Sequence, residues 1–110
     1  MKSKNDNTMG GIEIIVNLDR IIHEPARLAL MSLLYVVESA DFLFLEKQTG
    51  LSRGNLSSHL SKLETANYIR IKKEFVDKIP RTLIRLNQTG HKAFKKYVSN
   101  ISTFLKELPK

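Results

Sequence analysis

The sequence predicts a mainly α-helical domain that carries one small β-hairpin (α+β), and three observations predict it. Two short helical patterns meet across Gly50-Leu51-Ser52, the second with leucines on one side and small polar residues on the other. Two runs mixing apolar and basic residues come next, Tyr68 to Phe75 and Arg81 to Leu86, joined by a link that contains Asp77 and Pro80. Finally, Phe94, Val98, Ile101, Leu105 and Leu108 recur at spacings of 4, 3, 4 and 3, the seam of a helix that packs along another helix. A helix–turn–helix running straight into a basic hairpin is a winged helix-turn-helix, here closed by a C-terminal helix of the kind that dimerises.

In chain order, residues 1–11 are expected to be a flexible tail: Met1 to Thr8 is polar, and Gly10-Gly11 separates it from the apolar run that begins at Ile12. Residues 12–110 then form a single domain. Ile12 to Leu18 is a short apolar segment that either begins the first helix or pairs with a partner chain. The opening helix runs from Pro25, well suited to a first helical position, to about Glu38. It buries Leu28, Met31, Leu34 and Val37 or their neighbours. Leu30, Leu33 and Tyr35 make it apolar on more than one side, so it needs a second surface to cover it. Asp41 caps the next helix, Phe42 to Thr49, whose Leu45 presses on the helix after it.

That third helix begins at Ser52, with Gly50 suited to ending its predecessor. At about 100° per residue, Leu56, Leu60 and Leu63 fall on one stripe. The opposite side carries Gly54, Asn55, Ser58, Ser61 and Lys62, with Arg53 and Ser57 at its margins and His59 flanking the apolar stripe. A solvated helix face usually carries long mixed charges. Small hydrogen-bonding residues instead let the backbone come close to another surface, as reading base edges requires. After Asn67, which tolerates a left-handed backbone, the hairpin places Ile69 and Ile71 on one face and Arg70 and Lys72 on the other. In its second strand Thr82, Ile84 and Leu86 oppose Arg81, Leu83 and Arg85.

Composition points the same way. The 110 residues fit one domain, without room for a separate catalytic or ligand-binding one. Net charge is +7, and its distribution matters more than its size: residues 53–97 hold 11 Lys/Arg against 3 Asp/Glu, residues 1–52 hold 5 against 7. So one-sided a field attracts a polyanion, and duplex DNA is the one that fits the neighbouring geometry. Absence of cysteine excludes disulfides, thiol redox sensing and thiolate-bound metal. His23, His59 and His91 have no spacing that recommends a metal site. Ser57, Ser58 and His59 are adjacent on a helix and do not face one another, so they form no hydrolase constellation. With no phosphate-binding glycine loop either, no enzyme and no cofactor are expected. No apolar stretch approaches the roughly 18 residues of a membrane span and the N-terminus lacks a signal-peptide core, so the expected location is cytoplasmic.

On these residues the chain resembles the winged-helix transcriptional regulators related to the MarR and ArsR families, and is most similar to a compact subgroup with a GNLSxHLxxLE signature, here Gly54 to Glu64. Glu24-Pro25-Ala26-Arg27-Leu28 is similar to that family's opening helix, and Asp41-Phe42 to its next helix start. Pro80-Arg81-Thr82 and Arg85-Leu86 resemble its second wing strand, so the likeness covers about residues 20–95. Asn87-Gln88-Thr89-Gly90 departs from the usual Leu-Thr-x-x-Gly step, with Asn87 able to cap in place of threonine.

The expected function is therefore sequence-specific binding of double-stranded DNA by a dimeric transcriptional regulator, a repressor by preference. Arg53, Asn55, Ser58 and Lys62 are the candidates for base edges or nearby phosphates, Ser57, His59 and Ser61 for secondary contacts, with Ser52 and Gly54 at the helix start. Arg70, Lys72, Lys73, Lys78, Arg81 and Arg85 are the candidates on the hairpin, for phosphate or minor groove. Phe94, Tyr97, Val98, Ile101, Phe104, Leu105 and Leu108 of the last helix, residues 87–110, are the candidate homodimer interface, aided by Ile12 to Ile22. A two-fold dimer sets two reading helices about 34 Å apart, which calls for an inverted-repeat operator. The aromatic residues between opening and last helices leave room for a small-molecule effector. A winged-helix module that binds proteins without specific DNA recognition is the alternative.

Overall fold

The computed structural model describes residues 11–109; the expected tail, apart from Gly11, lies outside the described residues. In chain order the elements are α1 (Ile12–Val16), α2 (Pro25–Val36), β1 (Ala40–Asp41), α3 (Phe42–Thr49), α4 (Arg53–Thr65), β2 (Ile69–Val76), β3 (Ile79–Leu86) and α5 (Gln88–Glu107). The three strands form one antiparallel sheet in the order β1-β3-β2.

Side-chain caps fix where the four longer helices start. The backbone N–H groups of Arg27, Phe44, Asn55 and Gly90 donate to Glu24, Asp41, Ser52 and Asn87 respectively, each a donor that no helical carbonyl can satisfy. Gly50 ends α3 with φ 70°, a backbone that an L side chain rarely adopts. Asn67, at φ 64°, ends α4 in the same way. There the amide of Tyr68 donates to the Leu63 carbonyl at 3.0 Å and that of Asn67 to Glu64 at 2.9 Å, the paired bonds of a Schellman ending. The chain thus leaves α4 at a fixed angle and enters β2 at once.

Register follows from a two-residue turn. Asp77 and Lys78 both have positive φ, 52° and 68°, which matches the right-handed twist of the strands. Val76 therefore pairs with Ile79, Ile71 with Ile84, and Ile69 with Leu86. The link is shorter than the sequence suggested, because Val76, Ile79 and Pro80 all belong to strands. Pro80 is tolerated because in a two-residue hairpin the pair next to the closing one, Phe75 with Pro80, exchanges no ladder bonds. Ala40 and Asp41 add a short third strand on β3 opposite Ile84 and Leu83, too brief to leave a periodic signal in the sequence.

The core gathers Leu30, Met31 and Leu34 of α2, Leu45 of α3, Leu56, Leu60 and Leu63 of α4, Ile69, Ile84 and Leu86 of the sheet, and Phe94 and Tyr97 of α5. The buried stripe of α2 is Arg27, Leu30, Met31 and Leu34; Leu28 and Val37, expected inside, are only half-buried. The helix also stops two residues earlier than expected, at Val36, since Val37 has already turned to an extended backbone that leads into β1. Gly90 is required by close approach: a Cβ there would lie 2.0 Å from the Tyr68 carbonyl oxygen, where the start of α5 meets the link between α4 and β2.

Two expectations for the ends of the chain change. Ile12–Val16 is a short helix of its own, separate from the opening helix, and it packs on α5. Phe94 and Tyr97, expected at a dimer interface, are buried within the chain, and Ile101 and Phe104 are half-buried. Gly11 lies against the Phe104 ring, with room for a Cβ only 3.2 Å from it. The apolar stripe of α5 is thus centred on Phe94, Tyr97, Ile101 and Phe104, facing its own chain. Of the predicted interface, Val98 (48% exposed), Leu105 (58%) and Leu108 remain at the surface.

Candidate nucleic-acid interface

Three leucines anchor α4: Leu56, Leu60 and Leu63 are buried, and they fix which side of the helix faces out. On that outer side Ser52, Arg53, Gly54, Asn55, Ser57, Ser58, Ser61 and Lys62 are all exposed. Adding no long side chain beyond Arg53 and Lys62, this strip allows the helix axis close to a partner surface. The helix N-terminus, with its partial positive charge, carries Arg53, and Lys62 stands in its last turn.

His59 is the exception. It is half-buried, with Nδ1 3.1 Å from the Arg27 guanidinium and 3.8 Å from the Glu24 carboxylate. Guanidinium nitrogens only donate, so in that bond Nδ1 is the acceptor and the ring proton sits on Nε2. Arg27 itself is buried and donates from Nε to the Ile21 carbonyl at 2.6 Å. Three elements, the loop before α2, α2 and α4, are thereby tied through one cation. Glu24 completes the cluster: the Arg27 amide holds its carboxylate below the usual range, burial opposes this, and the Arg27 charge adds to the lowering. Nothing in the sequence marks Arg27 as buried, since an arginine on an amphipathic helix normally lies outside.

A second polar link steadies the other end of α4. Asp19 accepts from the amides of Ile21 and Ile22 at 2.8 and 3.1 Å, while the Tyr68 hydroxyl donates to its other carboxylate oxygen. Burial, together with that aspartate, pushes the Tyr68 phenol up to about 12. Nearby the Tyr97 hydroxyl and His23 Nδ1 lie 2.7 Å apart, and burial likewise raises the Tyr97 phenol. Asp19 and Tyr68 are 49 positions apart, a separation at which single-sequence patterns carry no information.

The hairpin stands beside α4. Arg70, Lys72, Lys73, Lys78, Arg81 and Arg85 are all exposed. Register puts Arg70 directly opposite Arg85, a like-charge pair that weakens a sheet unless an anion lies against it. Lys72 has Glu74 at 3.4 Å, and Arg81 has Asp41, the cap of α3, at 3.2 Å. Arg53 stacks over the Phe42 ring, 5.4 Å from its centre, which holds the guanidinium at the start of α4. Between hairpin and α4 runs an open groove of about 490 Å³ lined by Arg53, Ser57, Ser61, Lys73, Pro80 and Arg81 among others. Of the candidates, Arg53, Ser57, Ser61, Lys73 and Arg81 border this one concave surface, whereas Arg70, Lys72, Lys78 and Arg85 lie outside its lining, Arg70 and Arg85 on the hairpin face opposite Ile71 and Ile84.

Helix–turn–helix, two-stranded wing and closing helix define a winged-helix protein. The chain belongs to the winged helix DNA-binding domain family, whose sequence model matches residues 26–105. It is 32% identical over 89 residues to an uncharacterized protein of Methanocaldococcus jannaschii, covering 81% of this chain and 97% of that one. The solved transcriptional regulator homologue from Pyrococcus horikoshii superposes with a TM-score of 0.80 at 28% identity, over 89% of this chain and 95% of that one. A MarR family transcriptional regulator from Silicibacter pomeroyi shares the fold, with a TM-score of 0.62 at 14% identity over 92% and 68% of the two chains. The fold is thus that of MarR-like transcriptional regulators. No helix among the described residues is long and apolar enough to cross a membrane.

Proposed function

We propose that the chain is a sequence-specific double-stranded DNA-binding regulator of transcription, acting in the cytoplasm, by preference as a repressor. The observation that carries this reading is the division of α4: its leucines are buried while every small polar residue on its outer side is exposed, next to a hairpin lined with cations. In this reading α4 lies in the major groove, with Asn55 suited to adenine and Arg53 to guanine. Ser57, Ser58, Ser61 and Lys62 reach base edges or the flanking phosphates. His59, held on its Nδ1 side by Arg27, offers its Nε2 proton to a phosphate oxygen. Arg70 and Arg85 gain from a phosphate between them what they lose by facing each other.

Val98, Leu105 and Leu108 of α5, with Ile12 and Val16 of the α1 helix that packs on it and Tyr35 beside Phe94, leave apolar surface exposed. A second copy placed there makes a two-fold dimer with two reading helices. The same region is where a small-molecule effector would act, in a groove lined by Tyr35, Phe94, Val98 and Lys106. Selection of bound duplexes from a random pool tests the reading as a whole. The expected product is an inverted repeat with half-sites roughly one helical turn apart, retained when salt is raised enough to remove nonspecific binding. A pool that stays random while all binding collapses with salt contradicts it.

A further inference from the structure

The hairpin ends in apolar residues, although its neighbours are charged. Phe75 is 76% exposed and Ile79 59%, and with Val76 and Pro80 they place four apolar residues around the Asp77-Lys78 turn. Register sets Phe75 opposite Pro80 and Val76 opposite Ile79, so the apolar surface wraps both faces of the ribbon's end. Lys73 and Lys78 are exposed beside it, with Asp77 next to Lys78 in the turn, while Lys72 is paired with Glu74 at 3.4 Å. Lys78 holds φ 68°, a backbone for which glycine is the unstrained choice, so a cation stands at the tip against local conformational preference.

Apolar side chains gathered at a projecting point mark a surface that meets a partner, and the cations around them select the kind. A polyanion with an apolar interior accepts both features, and stacked base pairs inside a phosphate backbone are such a partner. The tip also borders the groove that α4 shares, since Ile79 and Pro80 line it together with Ser57 and Ser61.

We propose that the hairpin tip is a wedge: Phe75, backed by Pro80, enters the minor groove beside the α4 site, parts one base step and bends the duplex, while Lys73 and Lys78 hold the phosphates on either side. The inference rests on the DNA reading above and adds to it a mode of contact and a source of specificity. Apolar wedges of this kind kink a duplex by about 20–90°, at least cost at flexible pyrimidine–purine steps. Selected duplexes should then carry a TA or CA/TG step at a fixed distance outside each half-site, where α4 does not reach.

The test uses the most enriched selected duplex, labelled at its two ends with a donor and an acceptor dye. Saturating wild-type chain shortens the end-to-end distance. The Phe75→Ala variant, whose fold is checked by circular dichroism, binds more weakly and leaves the duplex nearly straight, and Phe75→Leu restores part of the bend. Replacing the flexible step by a stiff A-tract weakens wild type at least several-fold and Phe75→Ala hardly at all. An unbent duplex tightly bound by wild type, an equal bend with Phe75→Ala, or a wild-type dimer that Phe75→Ala separates overturns the wedge alone. Absence of any enriched duplex overturns the DNA reading, and the wedge with it.

Discussion

Single residues show where local preference yields to something else. Lys78 sits at positive φ in a turn that glycine would relieve. Lys78→Gly should raise thermal stability by about 0.5–1 kcal/mol, the left-handed penalty less the chain entropy of glycine. DNA affinity should fall at the same time, with the salt dependence shallower by about one counterion. A variant both more stable and equally tight on DNA would leave the lysine without a role. Tyr68 makes the opposite case, of a side chain serving the fold. Folded, its phenol stays neutral up to about 12, whereas in the unfolded chain it ionises near 10.0. Below pH 10 its contribution is fully present, and it is lost as pH rises from about 10 to 12. Chemical denaturation at pH 8 and at pH 11 checks this: Tyr68→Phe should lose about 1 kcal/mol at pH 8 and decline less steeply than wild type towards pH 11. Parallel profiles would mean that the phenol is not held neutral.

At the scale of elements, the starts of α2 to α5, the hairpin and the last helix were legible in the sequence, whereas the separate helix α1 was not. Ser52, Asp41 and Asn87 are capping residues placed just before apolar periodicity, and alternation exposed both strands. Contacts between distant elements were not legible. The 4-3-4-3 repeat of α5 correctly marked a packing helix without saying what it packs on, and its inner half turned out to face its own chain and α1. Arg27 reads as an ordinary exposed cation because the two groups that surround it, the Ile21 carbonyl and His59, come from 6 and 32 positions away. For the dimer proposal the element left outside is the strip of Val98, Leu105 and Leu108. Leu105→Asp, at an exposed position, should leave helical content unchanged and halve the mass seen by sedimentation at micromolar concentration. An intact dimer would place the contact on another face.

Over the whole molecule, charge and shape agree. A chain of net charge +7 carries its excess between residues 53 and 97, which the fold gathers into α4, the hairpin and the first half of α5. That agreement was open to sequence reasoning because both the charge asymmetry and the helix–turn–helix are local features. The groove joining α4 to the hairpin was not, since it depends on the angle at which the Asn67 turn releases the chain.

Whether the outer side of α4 reads bases decides the function. Selection from random duplexes, run in parallel with wild type, Asn55→Ala and Lys62→Glu, separates reading from mere attraction. Asn55→Ala should erase preference at one position in each half-site at a cost of about 1–3 kcal/mol, leaving the other positions unchanged. Lys62→Glu should weaken every sequence alike through repulsion from phosphates. If Asn55→Ala selects the same site as wild type at every position, the groove assignment of α4 is contradicted.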